Sequence, residues 1–205
     1  MTKEINRGRK FEQVLKGARE VFVRDGFEGA SVDDIARAAG VSKATLYNYF
    51  PDKRLLFAEV ARTEAARLTE LALDQLDPTD APEETLYLAG KLLQSFITSE
   101  LGQAQLILCA AESRRFPELG QMFYEAGPKQ VRDHLGTYLR EADAAGLLNV
   151  DDADLAADQF HELCKASIFP KMFTGVQTQF EPAELERVLT GAVQTFLARY
   201  GASKD

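Results

Sequence analysis

The side chains best suited to recognise another molecule lie in one short stretch, residues 43–48, which contains a lysine, a threonine and an asparagine. The Lys43 ammonium can donate to guanine O6 or N7, and the Asn48 amide can pair with adenine. The methyl groups of Ala44 and Thr45 can contact thymine. Together these side chains favour a surface that reads base edges in double-stranded DNA.

A second group is suited to the phosphate backbone. The Tyr47 and Tyr49 hydroxyls can bind phosphate, which fixes register without reading the base sequence. Lys43 and Lys53 each follow a helix-capping residue, where free backbone N–H groups and a cation together favour an anion. The alternatives are a Tyr47 ring packed against the first helix of the chain and, for the lysines, a solvated surface charge.

Two short helices around a glycine turn must position these groups. Ser31 is suited to cap the first helix, with Asp34 as the acidic partner three residues on. Gly40 ends that helix, because glycine adopts a left-handed backbone at low cost, and Ser42 caps a second helix that reaches about Tyr49. So short a connection forces a steep crossing, which lets the second helix enter a major groove.

The flanking segments complete a small helical head. Upstream, apolar residues repeat at helical spacing until Asp25-Gly26: Phe11, Val14, Leu15, Ala18 and Phe22. Downstream, Pro51 ends the second short helix, since the residue before a proline avoids the helical region. Asp52 can then cap a long helix that begins at Lys53.

Residues 9–60 resemble the TetR/AcrR family of transcriptional regulators. The residues that carry the resemblance are Ala18, Phe22, Gly26, Phe27, Ile35-Ala36, Ala39-Gly40-Val41-Ser42, Thr45-Leu46-Tyr47, Tyr49-Phe50, Lys53 and Leu55. The resemblance implies that Lys43 to Thr45 and Asn48 face the bases. It also implies backbone contacts from Ser31, Ser42, Tyr47, Tyr49 and Lys53. Gly17 departs from the alanine usual in the family, at an expected cost of about 1 kcal/mol in helix propensity.

The second half is similar to the AefR-like C-terminal class of that family. The similarity rests on Arg115-Phe116-Pro117-Glu118-Leu119, Phe123-Tyr124, Gly127-Pro128, Tyr138-Leu139 and Phe160-His161-Glu162-Leu163-Cys164. It implies a cavity for a small molecule whose binding spreads the two heads of a dimer. Candidate lining residues are Phe96, Cys109, Glu112, Phe116, Met122, Phe123, Phe160, Cys164 and Ile168, and ordinary core packing is the alternative for each.

From Lys53 onward the pattern is helical throughout, so we expect an all-α chain. The predicted helices cover 53 to about 76, 83–100, 103–113, 117–145 with a break at Gly127-Pro128, 152–174 and 182–200, with a prolyl turn at 77–82. We expect two domains, a helix-turn-helix DNA-binding head at 1–55 and a helical effector-binding and dimerisation domain at 56–205.

The last predicted helix carries a wide apolar face made by Leu185, Val188, Leu189, Ala192 and Phe196. One helix of the same chain is too narrow to cover it. We therefore expect 152–174 and 182–200 to pair with their copies in a two-fold four-helix bundle, with packing inside one subunit as the alternative. A homodimer would place two reading helices about 34 Å apart, as a palindromic operator requires.

Composition and charge agree with this interpretation. Of the net charge of −8, residues 1–55 carry +3 and the remainder −11, so the positive charge is concentrated in the head. The longest apolar run has six residues, against the roughly 20 that span a bilayer. With no signal-peptide core at the start, we expect a cytoplasmic protein without a membrane partner.

Nothing in the sequence points to catalysis or to a cofactor. No Gly-x-Ser-x-Gly, phosphate loop, dinucleotide fingerprint or His-Glu-x-x-His motif occurs. His161 and Cys164 lie three apart, but a structural zinc site needs four ligands. We expect reduced cysteines, with a thiol sensor at Cys164 as the alternative.

The sequence thus predicts a homodimeric repressor of palindromic operators that a small, largely apolar effector relieves. The alternative is a DNA-tethered protein-interaction module of the same fold, without a small-molecule effector. A hydrophobic cavity behind residues 90–170 would favour the sensor, and a filled core with an exposed apolar patch would favour the interaction module.

Overall fold

The computed structural model describes residues 8–73 and 81–202, the side chains of 68–73 excepted. Over these residues the regular secondary structure is helical, apart from an isolated bridge between Leu148 and Gly201, which confirms the all-α prediction. The helices are α1 (Arg9–Gly29), α2 (Val32–Ala38), α3 (Lys43–Tyr49), α4 (Lys53–Leu73), α5 (Pro82–Ile97), α6 (Glu100–Glu112), α7 (Pro117–Ala126), α8 (Pro128–Ala144), α9 (Ala153–Leu163), α10 (Ile168–Phe173) and α11 (Pro182–Tyr200).

Most predicted boundaries agree with these helices to within a few residues. The single helix predicted over 152–174 is wrong, because α9 ends at Leu163 and α10 begins only at Ile168. Between them, Ser167 has a φ of 62°, and a left-handed residue cannot continue a right-handed helix. The predicted helix end near Leu76 and most of the turn at 77–82 lie outside the described residues.

The contacts group the chain into two compact units. One contains the residues up to 64 together with 100–123, and the other contains 65–99 and the residues from 124 onward. This division differs from the predicted boundary after residue 55. The reason is that α6 adds Leu101, Ala104 and Leu108 to the core of the head.

The core of the first unit fixes α2 and α3 against α1. Phe11, Ile35, Leu46 and Phe57 are each at most 3% exposed. The Phe57 ring also meets that of Phe22 edge to face, at 4.9 Å between centroids. Burial of each such side chain contributes about 1.5 to 3 kcal/mol, so the two short helices depend on this core for their position.

Gly17 has a packing role that helix propensity does not predict. It lies where α1 crosses the end of α2, and a Cβ atom at this position would be 2.6 Å from Ala39 Cα. Real Cβ atoms do not approach other atoms so closely. The glycine therefore permits the close contact of α1 with α2. The lower helix propensity of glycine is the cost of this contact.

The core of the second unit lies between α5, α8, α9 and α11. It contains Leu139, Phe160, Cys164, Leu189 and Phe196, and the rings of Phe160 and Phe196 meet at 5.3 Å. None of the described helices is long and apolar enough to cross a membrane.

Candidate nucleic-acid interface

As predicted, a serine caps the N-terminus of each of the two short helices, α2 and α3. The Ser31 hydroxyl accepts a hydrogen bond from the Asp34 backbone N–H at 3.1 Å and donates to the Asp34 carboxylate at 2.6 Å. The Ser42 hydroxyl accepts from the Thr45 backbone N–H at 3.1 Å. Gly40, with a φ of 64°, makes the turn between the two helices. The local sequence thus sets where α2 ends and α3 begins.

The short helix α3 separates packing residues from outward residues. Leu46 is 1% exposed and is the buried residue of the helix. Lys43, Ala44, Tyr47 and Asn48 are all exposed. They occupy positions i, i+1, i+4 and i+5, which form one continuous stripe on a helix. This outward face carries the side chains that the sequence assigns to base contacts, with Thr45 half-buried beside it.

Lys43 is already paired within the head. Its Nζ lies 2.6 Å from Asp33 Oδ1, so that an ion pair links the beginning of α2 to that of α3. The hydrogen bond with Asp33 and the charge of that carboxylate raise the pKa of Lys43. Sequence reasoning missed Asp33, because the two residues are ten positions apart and belong to different helices.

The two tyrosines of α3 differ in their surroundings. Tyr47 is 49% exposed, so its ring is available on the outward face. Tyr49 is half-buried and meets the Phe11 ring edge to face at 5.8 Å. It is therefore Tyr49, and not Tyr47, that packs against the first helix. Phosphate contacts from the hydroxyls of Ser31, Ser42, Tyr47 and Tyr49 stay predictions.

The ammonium of Lys53 contacts the backbone of its own chain. Its Nζ donates to the carbonyl oxygens of Phe27 at 2.8 Å and Ala30 at 3.1 Å. It also lies 4.4 Å from the centroid of the Phe27 ring. Two of its three N–H donors are thus used to bind the segment between α1 and α2 to the beginning of α4. These contacts position the head, and the phosphate contact predicted for Lys53 stays a prediction.

Arg54 holds the turn after α3 against the end of α6. Its guanidinium binds the Asp52 carboxylate through two hydrogen bonds, at 2.9 and 2.6 Å, and the Glu112 carboxylate at 2.7 Å. The same guanidinium lies 3.9 Å from the centroid of the Phe116 ring. The hydrogen bond from Arg54 lowers the pKa of Asp52. The opposite charges two residues apart after Pro51 were the available signal in the sequence.

This arrangement changes the interpretation of two predicted pocket residues. Glu112 and Phe116 contact Arg54, so their described partners belong to the head. Among the other predicted residues, Cys109, Phe160, Cys164 and Ile168 are buried, and Phe96, Met122 and Phe123 are half-buried. The effector pocket therefore stays a prediction.

The cysteines are buried thiols. Burial raises the pKa of Cys109 to about 11 and that of Cys164 to about 12. Since the thiolate is the reactive species, neither residue is suited to redox sensing at neutral pH. Among the described residues, no group of three His, Cys, Asp or Glu side chains could hold a metal ion.

Most of the predicted dimer contacts on α11 are buried within their own chain. Val188, Leu189, Ala192 and Phe196 are between 1% and 8% exposed in the single subunit, so α5 and α9 of the same chain already cover them, and only Leu185 of the predicted set is half-buried. At the edge of this covered face, α11 forms an open groove with α9, of about 630 Å³. Its lining residues include Leu155, Leu163, Ala166, Thr195, Phe196 and Tyr200.

Comparison with protein families gives two matches that together span most of the chain. Residues 14–60 match the model described as bacterial regulatory proteins, tetR family. Residues 84–202 match the model described as AefR-like transcriptional repressor, C-terminal domain. The first match contains α2 and α3 with their outward face. The second contains the α9 and α11 groove.

Comparison with individual proteins gives relatives of the same family. The repressor KstR2 from Mycolicibacterium smegmatis is 31% identical over 146 residues, which are 70% of each chain. A solved structure from Mesorhizobium loti, assigned to TetR-family regulators, has a TM-score of 0.77 and 30% identity, covering 97% of this chain and 100% of that one. The flavonoid-responsive regulator FrrA has a TM-score of 0.68 and 32% identity, covering 96% and 100%. Several other curated relatives match over only 31% to 33% of their own length.

Proposed function

Since the chain belongs to the TetR family of bacterial regulatory proteins, we propose that it represses transcription from a palindromic operator that α3 reads in the major groove. Members of this family bind DNA, form dimers and bind small-molecule ligands. The observation that carries the proposal is the outward face of α3, where Lys43, Ala44, Tyr47 and Asn48 are exposed opposite the buried Leu46.

This face supplies both kinds of contact that a specific DNA complex needs. Lys43 and Asn48 offer hydrogen-bond donors and an acceptor for base edges, and Ala44 offers a methyl group for thymine. Tyr47 offers a hydroxyl for phosphate, which positions the helix without reading sequence. Lys53 is not part of this contact set, because its ammonium holds the head together.

Selection of bound duplexes from a random DNA pool by the purified full chain tests the proposal. We expect a palindrome whose half-sites lie about one helical turn apart. Asn48→Ala should relax the preference at one base pair of each half-site, whereas Tyr47→Phe should weaken binding to all sequences alike. Recovery of no motif by a folded protein at low salt would favour the protein-interaction module instead.

For the dimer, we propose that the groove between α9 and α11 contacts a second copy of this chain. The groove is lined mainly by apolar atoms, and Leu155 at its edge is 50% exposed. Burial of such a surface against its two-fold copy would complete a four-helix bundle. The predicted partner is thus kept, while the contact surface moves from the buried face of α11 to this groove.

Paired substitutions test the groove. Leu155→Asp should convert the dimer to a monomer in sedimentation experiments, because a charge would be buried in the interface. Leu147→Asp is the matched control, since Leu147 is 44% exposed but does not line the groove. If both variants stay dimeric, the contact surface lies elsewhere.

We propose that the effector is a small, largely apolar molecule. The relative FrrA is described as flavonoid-responsive, and it matches 96% of this chain. A flavonoid panel is therefore a suitable first set of probes. Release of a fluorescent operator duplex by one panel member, with a raised melting temperature of the protein, would support the sensor; failure of the panel would direct the search to other apolar compounds.

A further inference from the structure

We propose that Asp33 determines the sequence specificity of this protein by controlling Lys43. This inference rests on the proposed function, because it concerns how the outward face of α3 distinguishes one DNA sequence from another. Its basis is the ion pair that Asp33 of α2 makes with Lys43 of α3. Asp33 orients the lysine towards base edges and makes the pair a poor general phosphate ligand.

The geometry leaves Lys43 a defined number of free donors. The Nζ to Oδ1 distance is 2.6 Å, so one N–H of the ammonium is occupied by the carboxylate. A lysine ammonium has three such donors. The remaining two match the O6 and N7 acceptors that guanine presents side by side in the major groove. Because the ion pair restricts the orientation of the ammonium, Lys43 is expected to bind guanine in preference to other hydrogen-bond acceptors on the DNA.

The charge of Asp33 acts in the same direction. The carboxylate is 58% exposed on the side of the head that carries Lys43, and salt screens charges only beyond about 8 to 10 Å. A phosphate that approached Lys43 would therefore also meet the negative charge of Asp33. General affinity falls as a result, and selectivity between sequences rises, because repulsive elements contribute to specificity as attractive ones do.

Stability does not explain the pair. Both side chains are more than half exposed, at 55% and 58%, and exposed ion pairs contribute little to folding. The helix dipole favours a carboxylate in the first turn of α2, but Asp34 occupies that turn as well as Asp33. The Asp33 carboxylate moreover lies beside the residues predicted to contact a polyanion, where an acidic residue weakens binding unless it has a specific task. Control of Lys43 is such a task.

The test compares the full-length wild type with Asp33→Asn. Affinity is measured for the selected operator and for a scrambled duplex of equal length, over a series of salt concentrations. We expect Asp33→Asn to bind scrambled DNA more tightly, with a salt dependence steeper by about one unit of slope. The ratio of operator to scrambled affinity should fall roughly fivefold, the lower end of what one base contact supplies. Thermal unfolding checks that the variant is folded.

Two further variants make the result specific. Glu28→Gln removes the same charge from an exposed residue of the head, and it should leave the affinity ratio unchanged. In Lys43→Gln, the additional Asp33→Asn substitution should not lower the ratio further, because the effect of Asp33 passes through Lys43.

Three results would overturn the inference: an unchanged ratio in Asp33→Asn, an equal fall in Glu28→Gln, or additive effects in the double variant. These differ from failure of the proposed function. In that case the wild type itself would not prefer any sequence, and the inference would fall with it.

Discussion

The sequence predicts that the outward face of α3 and the apolar face of α11 are both contact surfaces. In the structure the two faces differ in their exposure to solvent. On α3, Lys43, Tyr47 and Asn48 are exposed and Leu46 is the buried residue. On α11, the predicted contact residues Val188, Leu189, Ala192 and Phe196 are covered by their own chain. A polar face must contact either solvent or a binding partner. An apolar face can be buried equally well against its own subunit or against a second one. Periodicity therefore locates an apolar face without saying what covers it.

The largest expected change in stability comes from a substitution on the buried face of α11. Phe196→Ala should lower the free energy of unfolding by about 3 to 5 kcal/mol, because it removes a ring that is 1% exposed and packs against Phe160. Urea denaturation at several protein concentrations measures the change. Leu147→Ala is the control, since its side chain is 44% exposed and does not line the groove between α9 and α11. A loss that disappears as the concentration rises would instead assign Phe196 to the interface between subunits.

The next largest effect concerns His161, which belongs to the packed helix α9. Burial, and secondarily the charge of Lys165, lower its pKa from 6.5 to about 4. In the unfolded chain the histidine takes up a proton below about pH 6.5, while in the folded chain it stays neutral. The contribution of His161 to the free energy of unfolding should thus be constant above pH 7 and fall between pH 6.5 and 4, by up to about 3 kcal/mol.

Denaturation of His161→Gln over the same pH range measures this contribution. The variant should lose much of the fall in stability, whereas His134→Gln should retain it, because His134 is exposed on α8. Identical pH profiles for the wild type and His161→Gln would show that the histidine is not held neutral in the folded state.

A smaller effect separates the two lysines that the sequence treats alike. Lys53→Ala should lower the free energy of unfolding by about 2 kcal/mol, since it leaves the Phe27 and Ala30 carbonyls without a charged donor. The salt dependence of DNA binding should hardly change. Lys16→Ala, at an exposed position of α1, is the control for stability. If Lys53→Ala instead lowers the salt slope by one unit and keeps the wild-type stability, Lys53 is a phosphate ligand after all.

These contrasts explain how much could be predicted from the sequence. The caps at Ser31 and Ser42 and the turn at Gly40 are local, so they were predicted correctly together with α2 and α3. The roles of Lys53 and Arg54 depend on Phe27 and on the end of α6, which are distant in the sequence. The break at Ser167 was missed because a serine in the left-handed conformation has no simple sequence signal.

The smallest expected effect on stability belongs to Lys43. Lys43→Ala should change the free energy of unfolding by less than about 0.5 kcal/mol, because its ion pair with Asp33 is exposed. The effect on DNA binding should be larger, since the preference for guanine at one base pair should relax by about 1 to 3 kcal/mol. The salt slope should change by less than one unit, because Asp33 already offsets the charge. Operator variants substituted at single positions, titrated with both lysine variants, measure this difference. A Lys43→Ala variant that keeps every base preference and loses one unit of slope would make Lys43 a phosphate ligand, and Asn48 would then be the main candidate on α3 for hydrogen bonds to base edges.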